Sequence, residues 1–208
     1  MVRNQWGAEA EDARMPNGAS DAAKMAVNMT TALPKNPMRR VRYSVAMSLD
    51  GYIADPQGGY DWIVMDPEID FGELFADFDT VLMGRKSWEV TRQDGGGPGM
   101  PGKQVFVVSR TLRQEDCKGA TVTADPGKTV ADLRKQPGKD IWLFGGGELF
   151  RGMLQLGLVN GVEVGVIPVL LGGGIPLLPT PAPRATLKLV KHQVYKKSGI
   201  VGLTYEIG

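Results

Sequence analysis

Asp140-Ile141-Trp142-Leu143-Phe144-Gly145-Gly146-Gly147-Glu148-Leu149-Phe150 reads as a buried strand over 140–144 that runs into three glycines and then into a helix over 148–156. A short apolar run bounded by turn residues suits a strand buried on both faces. The same grammar occurs once more, and a third strand ends in a polar junction. Residues 80–83 form a strand that ends in Gly84-Arg85-Lys86-Ser87 and a helix over 87–91. Residues 104–109, Gln-Val-Phe-Val-Val-Ser, form a strand that ends in Ser109-Arg110-Thr111. Strands that leave through glycine into helices are the units of a parallel sheet.

Working outward, Val41-Arg42-Tyr43-Ser44-Val45-Ala46-Met47 is a further strand, left through the turn 48–51. Residues 53–62 read as a loop. Asp66 and Pro67 suit an N-cap and a first helical position, followed by a helical stripe of Ile69, Phe71, Leu74, Phe75 and Phe78. Residues 94–102 are a glycine-rich loop and 129–136 a helix. Residues 161–171 are a strand, 172–174 a hairpin turn, and 188–194 with 199–207 a closing antiparallel pair. The expected class is α/β, with a mostly parallel central sheet, helices on both faces and antiparallel C-terminal strands. Residues 1–37 lack Ile, Phe and Tyr and read as a flexible extension. Residues 38–208 read as one domain.

Composition excludes several classes. There is one Cys and one His (His192), so a Cys/His zinc cluster lacks ligands and an intrachain disulfide is impossible. Lys and Arg number 24 against 23 Asp and Glu, which gives no electrostatic footprint for nucleic acid. No apolar run reaches the roughly 18 residues of a membrane span, and the N-terminus lacks the apolar core of a signal peptide. The expectation is a soluble cytoplasmic protein. Its chemistry must come from backbone, carboxylates, hydroxyls, Lys and Arg, or a bound cofactor.

The three junctions carry the chemical signal. Gly84 allows a close backbone approach, a helix start offers free N–H groups, and Arg85, Lys86 and Ser87 add charge and a hydroxyl. Ser109 and Arg110 supply donors for a second phosphate. Gly145, Gly146 and Gly147 let a pyrophosphate lie against the chain. Neither Walker A nor GxGxxG is present. Ligands of open α/β sheets bind at the C-terminal ends of the strands, so the set points to a dinucleotide with an extra phosphate. Guanidinium groups match a phosphate dianion.

In order and spacing, Val81 to Glu89, Val107 to Arg110 and Ile141 to Phe150 resemble dihydrofolate reductases. Ser48-Leu49-Asp50-Gly51-Tyr52-Ile53-Ala54 and residues 167–177 are more similar to the reductase domain of the riboflavin-synthesis deaminase/reductase and its stand-alone homologues. The resemblance covers residues 40–207. It implies an NADPH-dependent reductase of a small pyrimidine- or pterin-like heterocycle. Gly84, Arg85, Lys86 and Ser87 would hold the 2′-phosphate and pyrophosphate, and Ser109 and Arg110 would flank the adenosine phosphate. Gly145, Gly146, Gly147, Glu148 and Leu149 would cover the pyrophosphate and nicotinamide side, and Ala46 and Ile53 would face the nicotinamide. Hydride transfer asks the protein mainly to align donor and acceptor. Glu68 falls near the substrate-binding carboxylate and Trp62 near the active-site Trp, with Asp50 and Asp61 as competing acids. Glu68 also suits a first-turn helix carboxylate, and Asp50 a turn before Gly51. The resemblance further implies a homodimer joined through the late strands. Two departures stand out. Asn160-Gly161 replaces a common acidic pair. The Trp-x-x-Pro segment of dihydrofolate reductases is missing after Trp62, which argues against folate as the main substrate. The alternatives are a dihydrofolate reductase, a non-catalytic NADP-binding protein, and a single-stranded nucleic-acid module.

Overall fold

The structure is a computed structural model and describes residues 38–93, 100 and 102–208. The flexible-extension reading of 1–37 and most of the 94–102 loop lie outside the described residues. The strands are β1 (Val41–Ser48), β2 (Tyr52–Ala54), β3 (Phe78–Gly84), β4 (Gln104–Val108), β5 (Thr121–Thr123), β6 (Asp140–Gly145), β7 (Gly161–Ile167), β8 (Ile175–Pro176), β9 (Leu187–Tyr195) and β10 (Ile200–Ile207). The helices are α1 (Phe71–Leu74), α2 (Arg85–Gln93), α3 (Pro126–Arg134) and α4 (Gly147–Gln155).

Eight strands form one sheet in the order β5-β4-β3-β6-β1-β7-β10-β9. The pairs from β5 to β7 are parallel, while β10 runs antiparallel to both neighbours. Alternation along the strands divides the core between two faces. Tyr43, Leu82 and Leu143 point to one face and pack with Val130 and Leu133 of α3 and Phe150 and Met153 of α4. Val81, Met83, Val107 and Trp142 point to the other and pack with Trp88 of α2. Burying each such Leu or Met side chain contributes about 1.5–3 kcal/mol. The mostly parallel sheet with helices on both faces and antiparallel late strands is therefore the observed architecture.

Several local expectations are corrected. The helix expected from Asp66 is the single turn α1, because Asp70 is its cap: the Asp70 carboxylate accepts from the Glu73 N–H at 3.0 Å. The Phe75 and Phe78 stripe reflects packing on Trp142, at 4.2 and 6.0 Å between ring centroids, rather than helix length. The 53–62 loop begins inside β2. The 172–174 segment is not a hairpin turn. The strand before it ends at Ile167, and the chain then crosses to β8, which pairs with β2. Helix α2 begins two residues earlier than expected, at Arg85.

The position of β6 between β3 and β1 creates a divergence. The connection through α2 leads from β3 outward to β4, while α4 leads from β6 past β1 to β7. The seam between the C-terminal ends of β3 and β6 is thus the topological switch point of the sheet, where α/β proteins hold ligands.

The candidate cofactor cleft and substrate edge

Gly84 ends β3 and Gly145 ends β6, side by side at that seam. A Cβ on Gly84 would lie 3.6 Å from the Gly145 oxygen and 3.9 Å from the Gly146 nitrogen, and one on Gly146 would lie 3.9 Å from Ser87 Oγ. These are ordinary contacts, and neither residue has a positive φ. The fold itself therefore does not demand glycine at Gly84 or Gly146; what their absence of side chains leaves is open backbone. Gly147 differs. A Cβ there would sit 2.6 Å from the Pro176 oxygen and 2.9 Å from Pro179 Cδ. Gly146 caps α4 without a side-chain hydrogen bond, so the first N–H groups of the helix have no side-chain cap.

The first and second junctions share one cleft of about 350 Å³, lined by Arg85, Val108, Ser109, Arg110, Thr111 and Ala124. Ser109 Oγ accepts from the Thr111 and Leu112 N–H groups at 3.1 and 3.0 Å, which shapes the turn that presents Arg110. Arg85 pairs with Glu89 at 3.1 Å across a half-exposed helix face. Such a pair contributes only about 0.3–0.5 kcal/mol, so the guanidinium is readily redirected. Among the described residues neither Lys86 nor Arg110 forms an ion pair. Glu148 is exposed and pairs with Arg151, while Leu149 packs on the core.

On the other side of the seam, Ala46 lies half-buried on β1 opposite Gly165 of β7, and Ile53 lies half-buried on β2. Asp50 follows β1. Its carboxylate accepts from Ser48 Oγ at 2.6 Å, from the Gly172 N–H at 2.7 Å and from the Leu171 N–H at 3.1 Å. The Ser48 hydroxyl, then the two backbone N–H groups, hold Asp50 below the usual carboxylate range. A depressed folded-state pKa gives a brace that is complete above the unfolded value of about 3.9 and lost as pH falls through the folded value. Amide protection at Leu171 and Gly172 is expected to be full at pH 5 and to drop below about pH 4. Protection unchanged to pH 2 would contradict this.

Trp62 donates its Nε1–H to the Gly59 oxygen at 3.3 Å. Glu68 is half-exposed and pairs with Lys197 of the β9–β10 turn at 3.3 Å. Among the described residues no hydrogen bond or ion pair joins Asp50, Trp62 and Glu68 to one another. The structure thus brings Arg85, Ser109 and Arg110 to one cleft but forms no direct contact of this kind among Asp50, Trp62 and Glu68. Two features escaped the sequence reading. Residues 168–179 form a strap: Val169 accepts from the Leu49 N–H at 2.9 Å, Leu177 donates its N–H to Gly51 at 2.9 Å, and Pro176 abuts Gly147. The Tyr43 hydroxyl is buried beneath Gly145 and has no hydrogen-bond partner among the described residues. Neither leaves a local signal, because each depends on partners far away in the chain.

No helix among the described residues is long and apolar enough to cross a membrane. No group of three or more His, Cys, Asp or Glu among them could hold a metal ion.

This architecture, a mostly parallel sheet with antiparallel late strands and helices on both faces, is dihydrofolate reductase-like. The RibD C-terminal domain family matches residues 39–201, and the chain belongs to that family. It is 34% identical over 178 residues to YyaP, an uncharacterized protein of Bacillus subtilis (strain 168), covering 80% of this chain and 94% of YyaP. A crystal structure from Shewanella sp. PV-4, provisionally assigned to riboflavin biosynthesis, superposes with a TM-score of 0.68 at 27% identity, over 82% of this chain and 99% of that one. Dihydrofolate reductase from Enterococcus faecalis, solved with NADP(H), superposes with a TM-score of 0.61 at 14% identity, over 81% and 96% of the chains, a likeness of fold.

Proposed function

We propose that the chain is an NADPH-dependent reductase of a small pyrimidine- or pterin-like heterocycle, akin to 5-amino-6-(5-phosphoribosylamino)uracil reductase. The observation that carries this reading is the shared cleft of Arg85, Ser109 and Arg110 beside the side-chain-free seam of Gly84 and Gly146. The residues fit NADPH on their own terms: open backbone and helix N–H groups suit a pyrophosphate, and two guanidiniums with Lys86 suit an extra phosphate dianion.

When bound, NADPH supplies a hydride from its nicotinamide ring. Gly84, Arg85, Lys86 and Ser87 would hold the 2′-phosphate and pyrophosphate, and Ser109 and Arg110 would flank the adenosine phosphate. Gly145, Gly146 and Gly147 pass the pyrophosphate, with Glu148 and Leu149 behind them. Ala46 and Ile53 would flank the nicotinamide and exclude water. On the substrate side, Trp62 forms a wall and Glu68 orients the ring through its carboxylate. Asp50, whose acceptors are occupied, braces the strap rather than donating a proton at neutral pH. The test is NADPH oxidation with the aminouracil ribose phosphate and with dihydrofolate as separate substrates. Oxidation with the first is expected; NADPH binding with neither substrate reduced would leave a binding protein, not a reductase.

The chain works as a homodimer in this reading. On β9 and β10, Leu187, Leu189, His192 and Val194 stand opposite Ile207, Tyr205, Leu203 and Val201 on one face. That face continues Val162, Val164 and Val166 of β7. Leu189 and Val194 are each 49% exposed on the edge strand. An exposed apolar edge normally finds a partner. Sedimentation equilibrium is expected to give a two-chain mass, reduced to one chain by Leu189→Glu. A one-chain mass for the unaltered protein would overturn the dimer.

A further inference from the structure

The connection 55–77 carries Trp62 and Glu68, and it contains only one buried residue. That residue is a carboxylate, Asp66, which is 2% exposed. An apolar side chain is the ordinary anchor for such a segment, and burying a carboxylate is costly unless hydrogen bonds satisfy it. Here they do. Oδ1 accepts from the Glu68 N–H at 2.8 Å, and Oδ2 accepts from the Ser198 N–H at 3.0 Å, across 132 residues of sequence. The Ser198 hydroxyl first, then these backbone donors and the charge of Lys197, hold Asp66 below the usual carboxylate range. The Glu68–Lys197 pair spans the same junction at 3.3 Å.

The far side of this clamp is firm. Ser198 lies in the turn between β9 and β10, where the Gly199 N–H donates to the Tyr195 oxygen at 2.8 Å. Gly199 has φ +77°, and a Cβ there would lie 3.3 Å from Pro168 at the end of β7. The turn is therefore packed against the C-terminal edge of the sheet, the edge that holds the glycine seam. The 55–77 connection contains no strand and only the four residues of α1. Phe75 anchors its end on Trp142, and Asp66 ties its middle to the β9–β10 turn.

We infer that Asp66 is a positioning residue: it seats the 55–77 connection, with Trp62 and Glu68, on the β9–β10 turn, so that the substrate wall and the late hairpin loosen together. The substrate half of this statement rests on the reductase reading, while the clamp itself does not. Lys197, Glu68 and Ser198 are the charged and polar groups at the clamp. The Lys197 pair is exposed, and Lys197→Ala is expected to change little.

The test is hydrogen–deuterium exchange of the full chain, read by peptide, for the unaltered protein, Asp66→Asn and Asp66→Ser. In Asp66→Asn, exchange is expected to quicken about tenfold or more both in residues 60–70 and in the 196–199 turn, with β3 and β6 unchanged. NADPH affinity should stay within about twofold, since the phosphate cleft lies on other elements. On whichever heterocycle is reduced, KM should rise about tenfold while kcat changes by less than about threefold. Unchanged exchange, faster exchange in only one of the two segments, or a fall in kcat at constant KM would overturn the inference. Should Asp66→Asn loosen the whole sheet, Asp66→Ser, which shortens the reach to the Ser198 N–H, decides: paired local loosening supports the clamp, and its absence overturns it. A protein that bound no NADPH and reduced neither heterocycle would remove the reductase reading, and the exchange comparison would still decide the clamp.

Discussion

Replacing Arg85 and Arg110 together with alanine is expected to weaken NADPH binding by about 100-fold or more while leaving NADH binding within about threefold. The two cofactors differ only in the phosphate that, in the proposed reading, these side chains receive. A hydrogen bond to a charged group contributes about 1.5–3 kcal/mol, and the half-exposure of Arg85 argues for the lower end of that range. About 1.4 kcal/mol is tenfold in Kd, so two such contacts give two or more decades. The competing Arg85–Glu89 pair is weak and lowers this only slightly. Equal losses for NADPH and NADH would mean that the arginines shape the cleft rather than read the phosphate. Titration of cofactor fluorescence against each variant measures both.

The second large effect separates two glycines that look alike in the sequence. Gly147→Ala forces a methyl to within 2.6 Å of the Pro176 oxygen and 3.1 Å of the Leu177 oxygen, both backbone atoms of the strap. Overpacking of this kind costs about 1–3 kcal/mol, and the strap, fixed at Asp50 and Gly51, has little room to retreat. Chemical denaturation is expected to show that loss in stability. Gly84→Ala adds the same methyl where its nearest neighbour is 3.6 Å away, at a φ that alanine tolerates. It is expected to leave stability within about 0.5 kcal/mol and to weaken NADPH by about tenfold or more, because the methyl occupies the seam. Unchanged affinity in Gly84→Ala would remove the seam from the cofactor path. Unchanged stability in Gly147→Ala would mean that the strap is not held against α4.

The contrast also marks what a sequence can carry. Strand 140–145 and its glycines are legible because an apolar run and its terminator are neighbours in the chain, and the same holds for Gly84-Arg85-Lys86-Ser87. The sharing of a cleft by Arg85 and Arg110 follows from strand order, and strand order follows from the parallel units. The helix proposed at Asp66 failed because an Asp-Pro pair is a cap only if the following backbone is free to coil. Here Asp66 is bound to Ser198, and Asp70 does the capping. Strands β2 and β8 were illegible because each is too short to show a period, and each exists only through the other, some 120 residues away. The strap was missed for the same reason. Glu68 and Trp62 came from spacing within a family resemblance, which fixes distance along the chain but not the support beneath it. For Glu68 the structure supplies a partner in Lys197 of the β9–β10 turn, and for Trp62 one in the Gly59 oxygen.

The central claim, that the seam and basic cleft form an NADPH site, is tested most directly by calorimetric titration of the full chain with NADPH and with NADH. One NADPH per chain is expected, at least about tenfold tighter than NADH. No binding, or equal affinity for the two, would contradict the account.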